Sequence, residues 1–150
     1  MASGGMTMIH PQLQHDTYYL GRFPLSHLLL MNDAAYPWLI LVPDRESITE
    51  VYQLCAEDQA QLGRESVLLA ETLARGFQAD KMNIAALGNV VPQLHLHHIV
   101  RYTYDPAWPA PVWGKHPAKP YDAAELQQQV DKLKALLGDE VQWSPVTLKS

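Results

Sequence analysis

The chain has 150 residues, 47% hydrophobic and 18% charged, which supplies one globular core and excludes wholesale disorder. Eleven Lys and Arg against sixteen Asp and Glu give a formal charge of −5. That balance argues against non-specific binding to nucleic acid or an anionic membrane, while leaving room for a small anionic ligand held by local donors.

Residues 1–14 read as a flexible leader, and the first apolar run, Leu25 to Met31, predicts a strand. Asn32 to Pro37 supplies turn residues, and Trp38 to Val42, closed by Pro43, predicts a second strand buried on both faces. Together they predict an antiparallel hairpin at the sheet centre. Ser47-Ile48-Thr49-Glu50 matches a capping box ahead of a short helix. Glu57 and Asp58 suit the start of a longer helix whose apolar stripe is Leu62, Leu69, Leu73 and Phe77, with Gly76 loosening its end. Met82 to Leu87 and Leu94 to Tyr102 are further strand candidates, joined by a tight connection through Gly88 and Pro92. A proline-rich segment over 105–120 with Trp108 and Trp113 predicts irregular structure. A last helix carries Leu126, Val130, Leu133 and Leu137 and ends at Gly138. Strands and helices without strict alternation give an α+β class: a leader (1–14), a domain (15–118), and a C-terminal helix and tail packed on it (119–150).

Three of the seven histidines fall in the window Gln93-Leu94-His95-Leu96-His97-His98. On a strand, Gln93, His95 and His97 project from one face at roughly 6–7 Å intervals, and Leu94, Leu96 and His98 from the other. Three readings fit this pattern. It is the solvent face of an edge strand; or two ligands of a metal site whose third comes from His27, Asp33 or His116; or a nucleophilic imidazole with polar neighbours, suited to attack on phosphorus.

The stretch from Gly88 to Val100, with its Gln-x-His-x-His-His core, resembles the signature of the histidine triad (HIT) superfamily of nucleotide hydrolases and transferases. The Asn32-Asp33 turn, the Trp38 to Pro43 strand, the long helix and Trp108-Pro109 follow in family order, so the resemblance covers roughly residues 18–114. It implies a HIT-like fold, an antiparallel sheet of about five strands with one long packed helix and a C-terminal helix. It further implies a hydrolase or nucleotidyl transferase acting on a nucleoside phosphoanhydride, phosphoramidate or dinucleoside polyphosphate. His95 matches the nucleophile that becomes nucleotidylated and His97 the histidine that contacts the scissile phosphate. Asn83 and Asn89 match polar residues that bond phosphate or leaving-group oxygens. Asn32 or Asp33 lies where the ribose is bound, and Leu28 to Met31 beside the nucleobase. A homodimer is implied. No cofactor is required, although a divalent cation can accompany a polyphosphate.

Two departures qualify the resemblance. Gln93 stands at the first triad position and cannot shuttle protons at neutral pH. Trp38 replaces a further histidine, where it narrows the pocket or stacks on a base. The competing reading is therefore a nucleotide-binding module with little turnover, and behind it a His-ligated metalloprotein. His98 occupies an apolar slot and is expected to point into packing. Arg101 extends the His95 face towards an anion or pairs with Asp105. Trp108 and Trp113 cap the ligand, form a dimer contact or pack the tail. The lone Cys55 excludes an internal disulfide, and no apolar run reaches the roughly 18 residues a membrane span requires. The first residues lack the basic and apolar regions of a secretory signal, so the expected location is cytoplasmic, with no nucleic-acid or membrane partner.

Overall fold

Leu28, Leu30, Leu39 and Leu41 alternate along two neighbouring strands with Leu29, Ile40 and Val42, and all seven are buried. A strand buried on both faces belongs at the centre of a covered sheet. The computed structural model describes residues 7–150. In chain order its elements are α1 (Pro11–Asp16), β1 (Thr17–Arg22), β2 (Ser26–Met31), β3 (Trp38–Pro43), α2 (Ala56–Gly76), β4 (Lys81–Ala85), β5 (Leu96–Arg101), α3 (Ala123–Leu137) and β6 (Gln142–Trp143). The strands form one sheet in the order β4-β5-β3-β2-β1-β6, antiparallel throughout.

The α+β class and the central β2–β3 hairpin are as the sequence predicts, with Leu29 opposite Ile40 and Leu28 opposite Leu41. Six strands replace the expected five or so. The two-residue β6 is too short to leave a pattern, and it pairs with β1 at Gly21, whose φ of 152° suits glycine. A Cβ at Gly21 would lie 2.2 Å from the Gln142 carbonyl oxygen, so the approach of β6 requires this glycine.

Leu62, Leu69 and Leu73 of α2, with Leu126, Val130, Leu133 and Leu137 of α3, cover the face that carries Leu28, Leu30, Leu39, Leu41 and Val100. Gly76 does more than end α2: a Cβ there would meet the Leu136 methyl groups at 2.5 and 2.7 Å, so its absence lets α3 come close. The opposite face carries Leu29, Trp38, Ile40, Val42 and Ile99 and is covered by Ile9, Leu13, Ala107 and Val112.

The expected flexible leader holds a helix instead. Pro11–Asp16 is a helix, with Pro11 in its first turn and the His10 ring accepting from the Gln12 N–H at 3.0 Å. Its Leu13 is buried. Residues 1–6 of the expected leader lie outside the described residues. The capping box also differs from the expectation. Ser47 has a φ of 58°, and the single 3₁₀ turn over Val51–Gln53 is closed instead by the Gln53 side chain, which accepts from the Thr49 and Glu50 N–H groups.

Candidate active site

The strand carrying the histidines begins at Leu96, two residues later than the sequence predicts. His97 points from β5 to the side of Ile40, its antiparallel partner, and His95 stands just ahead of the strand. Their ring centroids are 4.8 Å apart. Both line a cleft of about 410 Å³. Its floor adds Met31, Trp38 and Trp113; one wall is Leu87, Gly88, Asn89, Val90 and Val91; the other is Gln12, Leu13 and Asp16 of α1.

The partners of the two rings fix their protons. His95 Nδ1 lies 2.7 Å from the Gln93 carbonyl oxygen, which can only accept, so Nδ1 carries the hydrogen and Nε2 keeps a bare lone pair. The ring is 6% exposed, and burial pushes its pKa below the ordinary imidazole value against the raising effect of that hydrogen bond. His97 is the reverse case. Its Nδ1 accepts from the Trp38 indole N–H at 3.0 Å, which places the hydrogen of the neutral ring on Nε2. Burial, then the neighbouring His95 and His98, lower its pKa to about 3. Neither Nε2 has a partner among the described residues. Two neutral imidazoles of opposite tautomer therefore stand side by side, one with a bare Nε2 lone pair and one with an Nε2–H to donate.

Several expected site residues are employed elsewhere. Gln93 does not share the cleft with His95 and His97: its Oε1 accepts from the His10 N–H at 2.8 Å and its Nε2 donates to the Met8 carbonyl at 3.1 Å. The replaced triad position thus clamps the segment leading into α1. Asn83 Oδ1 accepts from Arg101 Nη1 at 2.8 Å, which occupies it away from the cleft. Arg101 itself, 1% exposed, makes a two-point pair with Asp105 at 2.8 and 3.0 Å and donates to the Ala110 carbonyl, so it fastens the proline-rich segment to the sheet. Burial alone would raise the Asp105 carboxyl, but Arg101 and the Tyr102 and Trp108 N–H groups outweigh it and hold the pKa down to about 2. Asn32 and Asp33 also face away from the expected role. Asn32 Oδ1 accepts from the Tyr121 N–H at 2.9 Å, and Asp33 Oδ1 from the Ala35 and Lys119 N–H groups. They tie down the approach to α3.

His98 is fully buried on the α2 side, donating from Nδ1 to the Leu96 carbonyl and accepting at Nε2 from the Ser66 hydroxyl at 2.8 Å. Of the metal-ligand candidates, His27 binds the Tyr19 hydroxyl at 2.6 Å and His116 the Tyr36 hydroxyl at 2.8 Å. No three His, Cys, Asp or Glu side chains among the described residues are placed to hold a metal. Asn89, Trp38 and Met31 do reach the cleft. Gln12, Leu13 and Asp16 of α1 are among the lining residues that sequence reasoning missed, as is Leu87; for α1, Pro11 following a ring able to cap was the signal.

No helix among the described residues is long and apolar enough to cross a membrane. A family model described as the HIT domain matches residues 12–104. A search of curated proteins found no match. Among solved structures, a histidine triad protein from Marinobacter aquaeolei VT8 is 53% identical with a TM-score of 0.86, over 89% of this chain and 97% of its own. A histidine triad protein from Bradyrhizobium japonicum is 44% identical (TM-score 0.84, 87% and 98% covered). One from Sinorhizobium meliloti 1021 is 43% identical (TM-score 0.85, 89% and 100% covered). With a family match over more than half its length, and with these structures matching nearly end to end, the chain belongs to the histidine triad (HIT) family.

Proposed function

We propose that the cleft binds a nucleotide and that His95 attacks its α-phosphorus. The observation that carries this reading is the His95 Nδ1–H donated to the Gln93 carbonyl, which leaves Nε2 bare in a cleft. As Nε2 bonds to phosphorus, the bond to the leaving group breaks and its electron pair departs with that group, which takes a proton from water. The ring becomes cationic while keeping its Nδ1 hydrogen, and the Gln93 carbonyl accepts that stronger donor. Water then attacks the phosphorus as the P–Nε2 bond breaks and its electron pair returns to the ring; the proton that water sheds neutralises the hydroxide left by the first step, and the nucleoside monophosphate and neutral His95 result. His97 Nε2–H and Asn89 are the groups available for the phosphoryl oxygens where negative charge grows.

The charge of the cleft narrows the substrate. Among the described residues no Lys or Arg lines it, and Asp16 is its one carboxylate. A phosphoramidate or ester with a single ionised phosphoryl group suits such a site. A dinucleoside polyphosphate needs a divalent cation to accompany it. A homodimer stays part of the proposal, supported by Ile84 and Leu87, half-exposed on and after the edge strand β4.

The test is acid-quenched incubation with adenosine 5′-phosphoramidate, read by intact mass. Adenylate should appear on the wild-type protein and be absent from His95→Ala, with turnover lower by about three orders of magnitude or more. The second reading, a binding module, draws on the Gln93 side chain being consumed by the segment before α1. Nucleoside monophosphate binding with neither adduct nor turnover would establish it instead.

A further inference from the structure

Trp38 touches His97 through the one polar atom it has. Its indole N–H can only donate, and it meets His97 Nδ1 at 3.0 Å with both side chains buried. Most buried imidazoles face a carbonyl or carboxylate through one nitrogen, an arrangement that tolerates or favours a second proton. His95, two residues away, has that arrangement with Gln93. A donor-only partner does the opposite. A second proton on His97 would have to sit on Nδ1, setting two N–H groups against each other between two buried side chains.

We propose that Trp38 is a positioning residue, whose indole N–H fixes His97 as a neutral ring protonated on Nε2. His97 then serves the reaction at His95 purely as a hydrogen-bond donor to phosphoryl oxygen, and never as an acid or base. This rests on the reading of the cleft given above, but its structural half stands without turnover.

The surroundings hold the ring in this orientation. Trp113 meets His97 edge-on at a centroid distance of 5.1 Å, and His95 does so at 4.8 Å. Trp38 is braced in turn by Trp113 at 5.7 Å and Tyr36 at 6.3 Å. The titratable groups bearing on His97 are His95, His98 along the same strand, and Asp16 across the cleft. His98 is itself neutral, its pKa lowered to about 4 chiefly by burial. Asp16 is occupied by the Gln12 amide and the His15 ring. Nothing among them supplies the acceptor that an imidazolium at His97 would need. The two imidazoles thus divide their duties through what each Nδ1 meets.

Nitrogen and carbon NMR of ring-labelled histidines in the full chain tests this directly. Wild-type His97 should show the neutral Nε2–H tautomer, unchanged from about pH 8 to about pH 5. Trp38→Phe should release a mixture of tautomers and let the ring take up a proton within that range. It should also lower kcat on adenosine phosphoramidate about tenfold with less effect on KM, and add a second ionisation to the pH profile. An Nδ1–H tautomer or an imidazolium in the wild type would overturn the proposal, and so would an unchanged tautomer in Trp38→Phe. The wild-type spectrum decides even if the variant does not fold. A normal spectrum with no adduct on His95 would sink the function while leaving the Trp38–His97 arrangement standing.

Discussion

In the proposed reaction the imidazole of His95 attacks only while unprotonated, and its setting disfavours the proton. Burial disfavours the imidazolium, and the Gln93 carbonyl, which favours it, does not fully compensate. The folded-state pKa therefore lies below the ordinary imidazole value of about 6.5. Because the base form is the reactive one in that reaction, the acid limb of the rate of adduct formation should be centred below pH 6.5. Single-turnover rates measured from about pH 8 to pH 4 check this, and an acid limb centred at or above 6.5 would contradict it. The same residue-scale logic explains why His98, adjacent in sequence, contributes nothing to the cleft. Strand alternation turns it to α2, where Leu96 and Ser66 satisfy both nitrogens.

At the scale of elements, α1 is the unforeseen part of the site. Six residues with one buried leucine have little reason to be helical alone, so the helix depends on what holds its ends. Gln93 provides two of those contacts, at His10 and Met8. Gln93→Leu should therefore loosen the segment around residues 8–16. Losing two hydrogen bonds of about 1 kcal/mol each predicts amide exchange at His10 and Gln12 faster by roughly tenfold or more, with β2 and β3 unchanged. Protection unaltered by the substitution would show that Leu13 packing alone holds α1. This clamp also marks where sequence reading stopped. The central hairpin was legible because burial on both faces leaves an unbroken apolar run, and the long helices because their stripes repeat. His95 and His97 were legible because imidazoles two apart are a chemical pattern. Gln93, Asn32, Asp33 and Asn83 were misplaced because a polar side chain does not announce its partner. Asn32 bonds to Tyr121 and Gln93 to His10, each more than eighty positions away. Arg101 was the instructive middle case, since its pairing with nearby Asp105 was visible as one of two options and the fold took that one.

For the whole molecule, the buried rings make stability depend on pH with a definite sign. His97 and His98 have folded-state pKa values of about 3 and about 4, with burial the largest cause for each, and His27 and His95 are lowered as well. In the unfolded chain these rings titrate near 6.5. Between those values the unfolded state binds more protons than the folded one, so stability rises with pH across that window. The contribution is complete above 6.5 and is lost as pH falls towards the folded values. From pH 7.5 to pH 5, His97 and His98 should each withdraw about 2 kcal/mol, a large share of a typical domain's 5–15 kcal/mol. The carboxylates act later in the same direction: Asp44, Asp58 and Asp105 are all held below the ordinary value, so their support is lost only as pH falls below about 4. Urea unfolding at pH 7.5 and pH 5 should thus show a marked drop in midpoint before Asp44, Asp58 and Asp105 are protonated. His98→Gln, which keeps a polar side chain near Ser66 but cannot titrate, should reduce that loss of stability by about 2 kcal/mol. A midpoint that holds steady down to pH 5 would mean that the buried histidines accept protons in place, and the account of two neutral rings of opposite tautomer would have to be withdrawn with it.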